Sequence, residues 1–178
     1  MHEPPPKTGP SIHASAVKVG AQAVLIRGPS GAGKSRLALE LIMAGRSGQL
    51  PPAILVGDDR VRLDTRGEEV WVRPVEQLAG LIEIRGLGIR ACDFADEARV
   101  GFVVDLMAED AERLPSAEAM RTSIQGILLP RIPVGAAFAP FLLVAAALIT
   151  AETSYSGNLS ANCVKGIGNH ISRTIATE

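Results

Sequence analysis

A chain of 178 residues with 47% hydrophobic and 21% charged residues fits one domain with a sizeable core, and this composition excludes disorder as the default reading. A formal net charge of −1 argues against nucleic-acid or membrane-surface binding driven by charge. Two cysteines, Cys92 and Cys163, have neither zinc spacing nor disulfide density, so free or buried thiols in a reducing, cytoplasmic compartment are expected.

The opening stretch "MHEPPPKTGPSIH" lacks the apolar run of a secretory signal, and residues 1–11 read as a Pro-rich, flexible lead. "AVLIR" (23–27) is a short apolar run and reads as a buried strand. It runs into "GPSGAGKS" (28–35), which fits the pattern G-x-x-x-x-G-K-[ST]. "SRLALELIMAG" (35–45) then places Leu37, Leu41 and Ile42 on one helical face, with Gly45 expected as the C-terminal cap. Strand, glycine loop and helix form the context that a phosphate-binding loop requires.

Further strands are expected at "AILVG" (53–57), which ends in Asp58 and Asp59, and at "VGFVVDLM" (100–107). "RVRL" and "VWVR" flank the polar "DTRGEE" (64–69) and predict a hairpin, while "LIEIRGLGIR" (81–90) is a strand that breaks at Gly86 and Gly88. "ERLPSAEAMRTSIQG" (112–126) is polar and reads as partly helical. "VGAAFAPFLLVAAALIT" (134–150) is apolar throughout but short for a bilayer span and interrupted by Pro140, so it predicts a buried helix of a soluble core. The tail, 151–178, contains no recognisable site; His170 and Cys163 are a background pair. Strands outnumber helices in the first hundred residues. The fold class expected is therefore α/β, a P-loop nucleotide-binding domain with a mixed β-sheet flanked by helices.

The chemistry follows from residue types and spacing. Glycines at 28, 31 and 33 let the loop turn its N–H groups toward phosphate, and the positive helix end adds to them; Gly28, Pro29, Ser30, Gly31, Ala32, Gly33, Lys34 and Ser35 are the candidate nucleotide contacts. Lys34 supplies a compact cation for the terminal phosphates, and the Ser35 hydroxyl suits Mg²⁺. Asp58 and Asp59 at a strand end could hold metal, orient water or accept a proton. Glu83 and Arg85 alternate with Ile82 and Ile84, so both point to one strand face, where a carboxylate could serve metal and a guanidinium phosphate. Three functions remain open on residues alone: phosphoryl transfer to a protein hydroxyl, a small-molecule kinase, and a nucleotide-sensing regulator without turnover.

"IEIRGLGI" resembles the signature of the HPr kinase/phosphorylase family, and "IHASAV", "GPSGAGKS", "LVGDDRV", "ERLP" and "RIPV" line up with the family's other landmarks in order. The resemblance covers 12–150 and implies a short form holding the catalytic domain alone. It implies an ATP- and Mg²⁺-dependent kinase acting on a serine of HPr, the phosphocarrier protein of the sugar phosphotransferase system, and a hexameric homo-oligomer; the net charge adds the expectation of no nucleic-acid or membrane partner. By the same resemblance, His13 helps position the transferring phosphate, Lys34 stabilises phosphate charge, and Ser35 and Glu83 hold Mg²⁺. One of Asp58 and Asp59, with Asp59 preferred, takes the serine proton, and Arg113 stabilises transition-state charge. One departure stands out. Where the family continues "IPV" with "RPGRN", a loop tied to dephosphorylation, this chain has "GAAFAP", without either arginine, so kinase activity is expected and phosphorylase activity is not.

Overall fold

The structure, a computed structural model, describes residues 10–150. Most of the expected Pro-rich lead, the tail 151–178, Cys163 and His170 lie outside the described residues.

Three parallel strands organise the molecule. β3 (Gln22–Arg27) lies beside β9 (Ala98–Leu106) in the register Leu25↔Val103 to Arg27↔Asp105, and β11 (Ile127–Val134) lies along the other edge of β9 from Arg131↔Val103 to Val134↔Leu106. All three end at one edge of the sheet, the usual place for a ligand in an open α/β fold. Their apolar residues follow from burial on both faces.

The remaining strands are antiparallel. β2 (Ser15–Val19) joins β3 to β4 (Ala53–Gly57), while β1 (Ser11–His13), β5 (Arg60–Arg66) and β6 (Glu69–Pro74) continue from the opening of β9. β9 thus has a divided edge, antiparallel to β6 at Ala98–Arg99 and parallel to β11 at Val103–Leu106. Among the described residues the sheet has nine strands, ordered β1-β5-β6-β9-β3-β2-β4, with β10 (Arg121–Ile124) paired to β11. β7 (Leu81–Ile84) and β8 (Gly88–Ala91) form a separate two-stranded hairpin.

The expected mixed sheet is present, but its two faces are covered differently. Val24, Ile26, Phe102, Val104 and Leu106 face α1 (Lys34–Arg46) and α2 (Pro140–Ile149), which lie on the same side. Ala23, Leu25 and Val103 face a second core closed by the sheet's own curl, with Val61, Leu63, Val70, Val72 and Leu129.

Three expectations change in detail. Gly45 is not the helix cap: it lies inside α1, where a Cβ would fall 2.5 Å from the backbone N of Ala53, and Gly48 takes the left-handed conformation after the helix (φ 75°). Segment 112–126 contains no helix. Turns run to Met120, then β10 and β11 form a hairpin around Gln125 (φ 51°) and Gly126 (φ 85°), because the β-branched Thr122 and Ile124 favour a strand there. The apolar 134–150 segment yields the ten-residue α2, but only one side of it is buried. Val144 is inaccessible while Leu142 is 66% and Ile149 67% exposed. Among the described residues no helix is long and apolar enough to cross a membrane.

Candidate active site

The glycine loop sits where β3 passes into α1. Gly28, Gly31 and Gly33 have φ values of 148°, 81° and 96°, a region that side-chain-bearing residues rarely occupy, so the loop's path depends on glycine. Gly28 is also pressed against Leu106 at the end of β9, where a Cβ would come within 3.0 Å of it. Pro29, Ser30 and Gly31 form the exposed crest, and the Ala32 N–H closes a turn on the Pro29 carbonyl at 3.2 Å.

Lys34 opens α1 and folds back under the crest, its Nζ donating to the carbonyl oxygens of Gly28 (2.9 Å) and Pro29 (3.0 Å). The residue is 6% exposed, and burial pushes its ammonium below the ordinary lysine range, with Asp58 and Asp59 partly offsetting this. Both carboxylates therefore lie within electrostatic reach of Lys34.

The two aspartates have opposite surroundings. Asp58 is 3% exposed and accepts three hydrogen bonds, from Ser15 Oγ (2.5 Å) and Ser35 Oγ (2.9 Å) on Oδ1 and from the Glu83 N–H (3.1 Å) on Oδ2. Asp59 follows in a left-handed conformation (φ 63°) that turns it outward; its side chain is 64% exposed, with Oδ1 3.4 Å from His13 Nε2. Antiparallel pairing of β1 with β5, which sets His13 opposite Arg60, places the histidine there.

The structure thus gathers His13, Lys34, Ser35, Asp58, Asp59 and the backbone of Glu83 from four separate stretches of chain. Glu83 is exposed on β7, and Arg85 is exposed in the turn toward β8. Arg113 is not joined to this group by any hydrogen bond or ion pair: it is exposed in the loop 107–120, which leaves the sheet beside Gly28. Ser15 was missed from sequence. Its signal was a polar residue in a fully buried strand position, and it shares Asp58 with Ser35.

The donors suit a hard divalent cation. A hydroxyl and carboxylates are oxygen ligands, and among the described residues no group of three or more His, Cys, Asp or Glu could hold a metal unaided. Mg²⁺ ordinarily takes one or two carboxylates and completes its shell with water and phosphate. Cys92 is a free, half-buried thiol, which burial raises above its ordinary pKa.

Comparison with known proteins follows the same outline. The profile of the HPr Serine kinase C-terminal domain matches residues 7–165. Proteins named HPr kinase/phosphorylase from Streptococcus pneumoniae strains Hungary19A-6 and ATCC 700669 / Spain 23F-1 are 35% identical over 136 residues, covering 70% of this chain. The chain spans 41% of the length of those relatives. A solved structure, the Hpr(Ser) kinase/phosphatase from Coxiella burnetii, superposes with a TM-score of 0.61 at 24% identity, covering 78% of this chain and 93% of that one, and shows the shared fold. On the strength of the family match and the Streptococcus relatives, the chain belongs to the HPr Serine kinase C-terminal domain family.

Proposed function

We propose that this chain transfers the terminal phosphoryl group of ATP to a serine hydroxyl of HPr. The observation that carries this reading is the gathering of Lys34, Ser35, Asp58 and Glu83 beside a glycine loop, with an exposed carboxylate, Asp59, next to them. The names of the relatives support HPr as the acceptor.

The loop amides and the α1 N-terminus hold the phosphates, and Lys34 releases its backbone carbonyls to meet the charge that develops. Mg²⁺, when bound, neutralises phosphate charge; Ser35 and Glu83 are its holders, with Asp58 fixing the Ser35 hydroxyl. The serine oxygen forms a bond to the γ-phosphorus as the bond to the bridging oxygen breaks, ADP leaves, and Asp59 takes the serine proton. His13, 3.4 Å from Asp59, orients that carboxylate and the incoming phosphate. Arg85 and Arg113 approach the phosphates from the exposed hairpin and loop. The enzyme works in the cytoplasm as a homo-oligomer of hexameric form, with no nucleic-acid or membrane partner.

Return of the phosphoryl group from phosphorylated HPr to inorganic phosphate is disfavoured, because the turn 135–139 after β11 carries no cation. Purified protein incubated with labelled ATP, Mg²⁺ and HPr from the same source is expected to yield phosphoserine. Lys34→Ala should lower the rate about 10³-fold. Absence of phosphoserine with the unmodified protein sinks the reading, and efficient pyrophosphate release from phosphorylated HPr and phosphate sinks the one-directional part of it.

A further inference from the structure

A second charged cluster lies on the sheet face opposite α1. Arg27, the last residue of β3, donates from Nε and Nη2 to the two carboxylate oxygens of Asp105, both at 2.7 Å, and from Nη2 to Thr122 Oγ1 at 3.2 Å. Arg131 on β11 reaches the same carboxylate through Nε at 2.5 Å. Its two terminal nitrogens grip Asp110 at 2.6 and 2.9 Å, and Nη1 also meets the Ala119 carbonyl at 2.9 Å. One guanidinium therefore holds both ends of the loop 107–120.

Backbone bonds also tie the two ends of this loop to β11, from the Ala108 N–H to the Val134 carbonyl at 3.0 Å and from the Arg131 N–H to the Met120 carbonyl at 2.8 Å. The loop borders an open cavity of about 510 Å³ whose walls include Asp105, Asp110, Ser116, Ala119, Arg121 and Arg131, mostly polar or charged side chains. It departs from β9 through Met107, whose φ of 60° is unfavourable for a side chain of that size and persists only where its surroundings impose it. The loop carries Arg113, and it starts one residue after Leu106, against which Gly28 is packed. Arg27 immediately precedes Gly28 in the chain.

We propose that Arg131 is a positioning residue for phosphoryl transfer: through Asp110 and Ala119 it fixes the loop bearing Arg113, and through Asp105 and Arg27 it ties that loop to the phosphate-binding turn. The inference rests on the kinase reading and on Arg113 approaching the phosphates. It adds four side chains that lie outside the glycine loop, the aspartate pair and the 83–90 hairpin. Asp105 serves the link because both its oxygens are claimed by cations, and these hold its carboxyl below the ordinary range against the opposing effect of burial.

The test compares Arg131→Lys and Asp110→Ala, each alone and combined with Arg113→Ala, by serine phosphorylation of HPr at varied ATP. Lysine keeps the charge but cannot reproduce the two-pronged grip on Asp110 together with the bond to Asp105, and Asp110 is 52% exposed, so its removal does not threaten folding. Both single variants are expected to lower kcat roughly ten- to a hundredfold with KM for ATP within about twofold. Neither should lower it further when Arg113 is already alanine. A wild-type kcat in Asp110→Ala, losses that multiply with that of Arg113→Ala, or a wild-type kcat in Arg113→Ala would each overturn the inference while leaving the kinase reading intact. No transfer by the unmodified protein removes the reading itself.

Discussion

Asp58, which is buried, and Asp105, which is half-buried, are carboxylates at the strand ends around the glycine loop, and they are satisfied in opposite ways. Asp58 is held by two hydroxyls and a backbone N–H, all neutral donors, so its negative charge remains uncompensated except by Lys34 nearby. Asp105 is clasped by two guanidiniums and its charge is consumed within the fold. A carboxylate oriented without being neutralised can still act on a ligand; one neutralised by paired arginines can only hold structure in place. Strand alternation produces the contrast, because Arg27 and Asp105 are cross-strand partners on the face away from α1, whereas Ile26 and Leu106 point toward it.

The largest expected effect separates the carboxylates of the site itself. Asp58→Ala leaves the Ser15 and Ser35 hydroxyls and the Glu83 N–H without their acceptor, which should cost about 2–3 kcal/mol in chemical denaturation and abolish measurable transfer. Asp59→Ala, at an exposed position, should leave stability within about 0.5 kcal/mol yet slow transfer about 10²–10⁴-fold. Equal stability losses in the two variants would erase the distinction between them.

The next effect probes Asp105. Its carboxyl is held below the ordinary aspartate range, so its contribution to stability is complete above about pH 5 and is lost as pH falls through the depressed folded value. Arg27→Met removes one of the two cations, and we expect a loss of about 2 kcal/mol at pH 7 together with an acid transition moved to higher pH. Denaturation curves collected between pH 7 and 3 check both, and an unmoved acid transition would mean that Arg131 alone governs this carboxylate.

The smallest effect belongs to an exposed pair of similar geometry. Arg66 reaches Glu97 through two nitrogens and lies 4.5 Å from the Trp71 ring centre, but the two side chains are 39% and 40% exposed. A double-mutant cycle should return a coupling of at most about 1 kcal/mol, decreasing with salt. A larger value would show that bidentate geometry outweighs burial in setting such energies.

The legibility of the two sites differs for a physical reason. The glycine loop, Lys34 and Ser35 are contiguous, and their chemistry needs a fixed local order, so eight adjacent residues announce it. Asp58 and Asp59 stood out as candidates because β4 ends at the same edge as the loop, whereas Glu83, inside the separate β7–β8 hairpin, was singled out by the resemblance of "IEIRGLGI". Ser15 and the Arg27–Asp105–Arg131–Asp110 cluster were not, since each member is an ordinary polar residue until pairing sets it beside the others. The order of elements was readable from apolar runs and turn residues, whereas the curl of the sheet depends on β9 changing partners along its length. Gly45 was misread as a cap because its role lies in a contact with Ala53, far from it in pairing terms.

That glycine acts as a spacer. Alanine is the better helix former by about 0.5–1 kcal/mol, yet at position 45 its methyl would overlap the chain at the start of β4 and push the helix away from the sheet. Since α1 is a single rigid rod, the displacement would travel about 16 Å along its axis, at 1.5 Å per residue, to the turn that begins with Lys34. A single methyl group added at the far end of the helix is therefore expected to change how deeply the lysine is seated beneath the phosphate loop.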